Sequence, residues 1–265
     1  MAVPTLLRVG LSEAVAYRAE MVVWVLATTM PFVMLMLWSA VSAYSPVVSP
    51  RGTRYGATEF TAYFLAVAMT RQLISSWAAW EMNWEIRTGA LSMRLLRPLH
   101  PIIAYGAQNV AFMPLRLVVS LPLILIALFV GATRHWTTDP VLFLLFLGAL
   151  AGGWLINFFV NIALGSLGMV MESSIKLMEF YLALFFVLSG YLFPLELFPE
   201  WMRRVAEALP FRYQIGLPVE ILLGHHTASE AVGLLAKQWG WVVALFALAI
   251  TLWNVGVKRF QAYGG

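Results

Sequence analysis

Five charged side chains crowd one short stretch of this chain: Glu81, Glu85, Arg87, Arg94 and Arg97, within EMNWEIRTGALSMRLLRPLHP from Glu81 to Pro101. Carboxylates and guanidiniums so close together can form charge-assisted hydrogen bonds, with one another or with a partner. Read as a helix from Trp84 to Leu96, the stretch gathers Ile86, Ala90, Met93 and Leu96 near one another and sets Arg87, Arg94 and Arg97 nearer the other side. Gly89 interrupts this island and Pro98 stops it. Two readings fit such an amphipathic element: an arginine-rich loop on a membrane surface, or a docking element for a soluble partner.

Two further cations stand where charge is expensive. Arg71 and Arg116 each interrupt a long apolar run. An arginine facing lipid costs at least about 2.5 kcal/mol, so each needs a partner, a wet cavity or an interface. Snorkelling or pairing is the structural use, and lining a solute path is the functional one. Gly153, Asn157, Asn161 and Gly165 recur every four residues, so small and amide side chains share one helical stripe. Close packing with shared hydrogen bonds explains the stripe, with a polar patch on a translocation path as the alternative.

Other chemistry is poorly supplied. His100, His135, His225 and His226 fall in loops or at span ends, and His225 and His226 read as solvated turn residues without a metal's ligand set. Neither HExxH nor GxSxG occurs, which leaves an intramembrane enzyme without a constellation. The absence of cysteine excludes disulfides, cysteine-ligated zinc and thiol catalysis. No lysine follows a glycine, so the Walker A cradle for phosphates is missing.

The elements that position these residues are membrane helices. With 265 residues, 61% hydrophobic and 11% charged, and a mean hydropathy of +0.81, the chain cannot hide its apolar surface inside one water-soluble core. The net charge of +4 is scattered among membrane flanks, which speaks for anionic headgroups before nucleic acid. The first twenty residues carry Arg8, Glu13, Arg18 and Glu20 among Leu7, Leu11, Ala14 and Val15, the pattern of an interfacial helix. Apolar runs at about 22–41, 57–80, 102–132, 141–171, 175–195 and 238–257 are each read as a span. A brief charged corner, with Glu172 and Lys176 at helical pair spacing, separates the fourth from the fifth.

Between Ser189 and Gly224, Pro194, Pro199, Pro210 and Pro218 cut an amphipathic sequence into short pieces. Leu195, Phe198, Trp201, Met202 and Val205 are expected to dip into the interface while Glu196, Glu200, Arg203 and Arg204 stay in water, in short helices or a re-entrant hairpin. The expected fold is an all-α integral membrane protein: a single domain over 1–265 with six transmembrane helices, both termini on one side. Counting basic residues, with the long fifth-to-sixth connection discounted, places the termini and the island in the cytoplasm.

Three stretches in the right order between the right spans resemble the permease subunits of ABC-2 type exporters, in the branch of six-span proteins encoded apart from their ATPase. They are AYRAEMVVWVL at Ala16 to Leu26, EIRTGALSMRLLRPLHP at Glu85 to Pro101, and LSGYLFPLELFPEWMRRVAEALPF at Leu188 to Phe211. The resemblance covers nearly the whole chain.

The resemblance implies a role for each stretch. Glu85, Arg87, Gly89, Leu91, Arg94, Leu96, Arg97 and Pro98 would belong to a coupling helix seated in a groove of a cytoplasmic ATPase. Tyr17 and Arg18 would lead into the first span, and Gly190, Tyr191, Phe193, Pro194, Phe198, Pro199 and Trp201 would form the outer gate. Substrate would pass between two permease subunits, identical or paralogous, with Arg71, Arg116, Asn157 and Asn161 as candidates for the translocation path. This chain would hold no cofactor; two partner ATPases would bind ATP and magnesium. The setting implied is a bacterial cell membrane, inner or plasma.

Trp24, Trp38, Trp77, Trp80, Trp154, Trp241 and Trp253 suit either a hydrophobic or cationic organic substrate or, at span ends, interfacial anchoring. Efflux of a hydrophobic or amphipathic small molecule, a drug or lipid-like metabolite, is the expectation. Polysaccharide or glycolipid export, or a channel or scaffold, are the alternatives.

Overall fold

The computed structural model describes residues 18–50, 52–171 and 174–260. The interfacial helix expected over the first twenty residues, Tyr17 included, lies almost wholly outside them, as does Glu172 of the pair with Lys176.

Helix α1 (Arg18–Tyr44) leads into a small antiparallel hairpin, β1 (Val47–Val48) and β2 (Arg54–Tyr55), with Val47 opposite Tyr55. The hairpin marks one end of the molecule. Helix α2 (Ala57–Ile74) leaves it, and α3 (Ala78–Thr88) and α4 (Ala90–Leu95) carry the chain through the charged island at the other end. Helices α5 (Pro101–Ala111) and α6 (Met113–Phe129) return to a short 3-10 turn at Ala132–His135. Then follow α7 (Pro140–Leu167), α8 (Ser174–Leu188), a 3-10 turn at Leu195–Leu197, α9 (Glu200–Ala208), α10 (Gly216–Leu222) and α11 (Ala228–Arg259).

Helix α7 is the spine, packed against α2, α3, α10 and α11. Asp139 caps it, its Oδ1 accepting from the Val141 N–H at 2.8 Å, and Pro140 supplies the fixed φ of a first helical turn. Its small residues set the packing distance. A Cβ on Gly153 would stand 2.8 Å from the Gln214 carbonyl, and one on Gly165 would stand 2.8 Å from the Met82 sulfur. Asn157 Nδ2 donates to Gln214 Oε1 at 3.3 Å, and Asn161 Oδ1 accepts from the Ala79 N–H at 3.3 Å. The four-residue stripe is therefore a packing face that holds α3 and α10.

Among the described residues, three helical stretches are long and apolar enough to cross a membrane: Pro101–Phe129, Pro140–Leu167 and Ala228–Arg259. Their outward faces carry Phe129, Leu144 and Val243, at 93%, 69% and 67% exposure, a surface that lipid, not water, satisfies.

Several expected boundaries move. The run 57–80 is broken over Ser75–Trp77, where Ser75 turns extended (ψ 142°) and ends α2. The run 102–132 ends at Phe129 and loses a ladder bond beside Phe112, because Pro114 in the first turn of α6 has no N–H to donate, while the backbone at Phe112 stays helical (φ -82°, ψ -9°). Helix α8 stops at Leu188 instead of near Leu195, since Gly190 takes a left-handed conformation (φ 87°). Helix α11 starts at Ala228, well before Gln238, because Thr227 and Glu230 form a capping box: Thr227 N–H donates to Glu230 Oε2 at 2.8 Å.

Candidate functional site

The island folds on itself through one arginine. Helix α3 ends at Gly89, whose left-handed backbone (φ 75°) breaks the single helix expected from Trp84 to Leu96 and lets α4 turn back. Arg94 then reaches across the bend. Its Nε donates to Glu85 Oε1 at 2.9 Å and its Nη2 to Glu81 Oε1 at 2.9 Å, with a second, shorter contact to Glu85. Tyr105 of α5 donates its hydroxyl to the other Glu85 oxygen, and the Arg94 guanidinium lies over the Tyr105 ring, 4.2 Å from its centre. Burial raises the Glu81 carboxyl, and the Arg94 charge opposes that rise.

This clamp sorts the island's residues. Glu85, Ile86 and Leu91 are buried, and Arg94 is occupied within the chain. Trp84, Arg87, Met93, Leu96, Arg97 and Pro98 are exposed. The apolar face expected from an unbroken helix is thus corrected: Ile86 points inward, but Met93 and Leu96, past the bend, are 67% and 80% exposed. Beside them an open cleft of about 390 Å³ is lined by Asn83, Ile86, Arg87 and residues 168–171. Asn83 is held by Ser174, which donates its hydroxyl to Asn83 Oδ1 at 2.6 Å.

The two cations of the apolar runs face different surroundings. Arg116 is buried, donating Nη1 to the Ser75 carbonyl at the break after α2, with Nη2 at 3.5 Å from Asn109 Oδ1. Arg71, in the last turn of α2, sits over the Phe185 ring at 5.3 Å. Among the described residues no carboxylate lies at ion-pair distance from either. Asn157 and Asn161, expected as candidates for a path, are 6% and 1% exposed and are spent on contacts within the chain.

The residues expected at an outer gate gather at the hairpin end. Tyr63 donates its hydroxyl to the Gly190 carbonyl at 2.6 Å, Trp38 Nε1 donates to the Leu192 carbonyl at 3.2 Å, and Phe193 and Phe198 meet edge to face at 4.9 Å. Tyr191 and Pro194 are buried; Pro199 and Trp201 are exposed. The expected interfacial face holds for Trp201 and Val205 only in that both are exposed; Leu195 and Phe198 belong to the core, at 3% and 2% exposure. The proline-cut segment does form short helices, and its 209–215 link reaches inward until Gln214, wholly buried, meets Asn157 of α7 and the Tyr181 hydroxyl of α8.

A second charged network lies here. Arg212 Nη2 donates to Glu220 Oε2 at 2.7 Å, Arg212 Nη1 stands 3.2 Å from Glu207, and Arg203 bridges Glu207 and Glu200. His226 Nε2 is 2.9 Å from the same Glu220 oxygen, and His225 Nδ1 is 3.7 Å from Glu196. The histidines are therefore partly buried partners of glutamates, a correction to their reading as solvated turn residues. Burial alone would raise the Glu220 carboxyl; Arg212 and His226 overcome it and hold it at about 2. Among the described residues no group of three or more histidine, aspartate or glutamate side chains is placed to hold a metal ion.

Tyr105, Arg212 and Glu220 were missed as structural partners by the reading of the sequence. Glu220 had a signal, a lone carboxylate inside GLPVEILLG. Tyr105 had none, since its partner Glu85 lies twenty residues away across two bends. A family model described as an ABC-2 family transporter protein matches residues 30–264. No curated protein matches the chain.

Proposed function

The chain belongs to the ABC-2 family of transporter proteins, and we propose that it is the membrane permease of an ATP-driven exporter whose coupling element is the island of α3 and α4. The observation that carries this reading is the division within the island. Its carboxylates and Arg94 are turned inward to make a rigid bend, while Trp84, Arg87, Met93, Leu96 and Arg97 are turned outward. A surface mixing an aromatic ring, two apolar side chains and two guanidiniums on a pre-formed bend suits a protein groove better than water.

The permease crosses the cell membrane six times, through α1, α2, α5 with α6, α7, α8 and α11, with its termini and island in the cytoplasm. Two ATPase subunits bind ATP and magnesium, and two permease subunits, identical or paralogous, flank the path. Closure of the ATPases on ATP draws the two islands together. The bend transmits this movement because Arg94 fastens α4 to α3 and Tyr105 fastens both to α5, so the outward state gains population. Cargo is a hydrophobic or amphipathic small molecule.

The test is ATPase activity of the complex in lipid nanodiscs after co-expression with the ATPase encoded beside this chain. Arg87→Glu combined with Arg97→Glu should abolish co-purification or uncouple the activity while leaving the thermal unfolding of the permease unchanged. Wild-type assembly and stimulation in that double variant would overturn the reading.

A further inference from the structure

Helix α3 has two working faces. Glu81 and Glu85 lie one turn apart and both bind Arg94, so that face is closed within the chain. Asn83, Ile86 and Arg87 stand on the opposite side, where they line the open cleft of about 390 Å³ completed by residues 168–171, just past the end of α7. The cleft therefore joins the island to the end of the spine. Its walls are fixed: a Cβ on Gly165 would stand 2.8 Å from the Met82 sulfur, and Asn83 receives the Ser174 hydroxyl of α8 at 2.6 Å.

The cleft is two-sided in its chemistry. Arg87 is exposed, no acidic side chain lines the cleft with it, and among the described residues none stands at ion-pair distance from it. Across from it, the N–H groups of Gly168, Met169, Val170 and Met171 all turn back to the carbonyls of Gly165, Ser166 and Leu167, at 2.8 to 3.2 Å. Among the described residues no N–H donates to the carbonyls of Gly168, Met169 or Val170, so what this turn has left to offer is acceptors, at the negative end of a helix. Ile86, Met169, Val170 and Met171 supply apolar wall, the last two 42% and 43% exposed, and methionine adapts its shape to a partner.

That combination decides the occupant. A lone anion such as a lipid phosphate finds one guanidinium, no free N–H in the turn, and the carbonyl end of α7 against it. A lone cation suits the carbonyls and is repelled by Arg87. The first turn of a helix carrying an aspartate or glutamate answers both: its unpaired N–H groups donate to the carbonyls, its carboxylate meets Arg87, and its positive end faces the negative end of α7. We infer that the cleft is a second docking site for the partner ATPase, receiving the acidic N-terminal turn of one of its helices. The identity of that partner rests on the exporter reading. An ATPase seated there bears on the end of α7 as well as on the island, so its movement reaches the spine without passing through the bend at Gly89.

To test this, Val170→Cys is introduced into the cysteine-free chain, and its labelling by a hydrophilic maleimide is timed in lipid nanodiscs, for the permease alone and for the complex with the ATPase encoded beside it. Assembly should slow labelling about tenfold or more, and Arg87→Gln should undo about threefold or more of that protection. Met171→Cys carrying a benzophenone maleimide is then irradiated in the complex, and the adduct should be an ATPase peptide with Asp or Glu in the first turn of a helix. An adduct with lipid, with a second permease or with residues 1–17 of this chain overturns the inference, as does an ATPase peptide without such a carboxylate. A complex that co-purifies yet leaves Val170→Cys labelled as fast as in the permease alone overturns the site and leaves the island reading standing. Failure to co-purify overturns the exporter reading, and the site falls with it. Should Val170→Cys fail to fold, Met171→Cys, equally exposed, serves for the timing as well.

Discussion

The island and the network around Glu220 use the same chemistry for opposite ends. Each joins glutamates to an arginine across a break in the helices, Glu81 and Glu85 to Arg94 in one, Glu207 and Glu220 to Arg212 in the other. At the island the clamp is made by residues close in sequence and leaves its outer face bare. At the hairpin end the clamp is buried, with side-chain exposures of 8% for Arg212 and 7% for Glu220, and every residue of α10 is in the core. The first arrangement builds a stiff bend that something else can push on. The second fastens the inward-reaching 209–222 segment, which meets α7 and α8 through Gln214, so that movement would expose charge to a dry interior.

The difference is sharpest in what removing one charge should do. Glu220→Gln leaves the buried Arg212 and His226 with only the more exposed Glu207, 3.2 Å from Arg212, to balance them and should cost about 3 kcal/mol, read as denaturant unfolding in micelles. Glu85→Gln should cost less, about 2 kcal/mol, because Arg94 keeps Glu81 and has water near it. Equal losses at the two sites would break the comparison.

Acid should separate the two networks again. Because the Glu220 carboxyl is held below its ordinary 4.5, at about 2, its contribution to stability is complete above about pH 4.5 and is lost as pH falls towards 2. Unfolding measured from pH 6 downward should therefore steepen below about pH 4.5, and Glu220→Gln should flatten that slope. The smallest stability effect belongs to Gly89→Ala, where a side chain in the left-handed region costs about 1 kcal/mol. Its effect on ATPase coupling should be larger than its effect on stability, since it changes the angle between α3 and α4.

Much of this was legible in the sequence. The apolar runs locate the helices, Gly89 locates the bend, and the stripe of Gly153, Asn157, Asn161 and Gly165 locates the packing face of α7. What periodicity could not carry was orientation past a break. Once Gly89 turns the chain, Met93 and Leu96 no longer share the face of Ile86, and a single helical wheel misplaces them. The break at Ser75 and the lost ladder bond beside Phe112 were hidden because serine and proline are tolerated inside apolar runs; it is Arg116, distant in sequence, that satisfies the carbonyl freed at Ser75. Glu220 and Arg212 stand eight residues apart with two prolines nearby, and only the inward reach of the 209–215 link brings them together.

The absence of cysteine in the chain allows the central claim to be tested directly by single-cysteine cross-linking. Met93→Cys, on the bare face of the island, and Trp201→Cys, equally exposed at the hairpin end, are each co-expressed with the neighbouring ATPase and treated with a short bifunctional maleimide. The account predicts a permease–ATPase adduct from position 93 and none from position 201. No adduct from position 93 in a complex that still assembles, or an adduct from position 201, would contradict it.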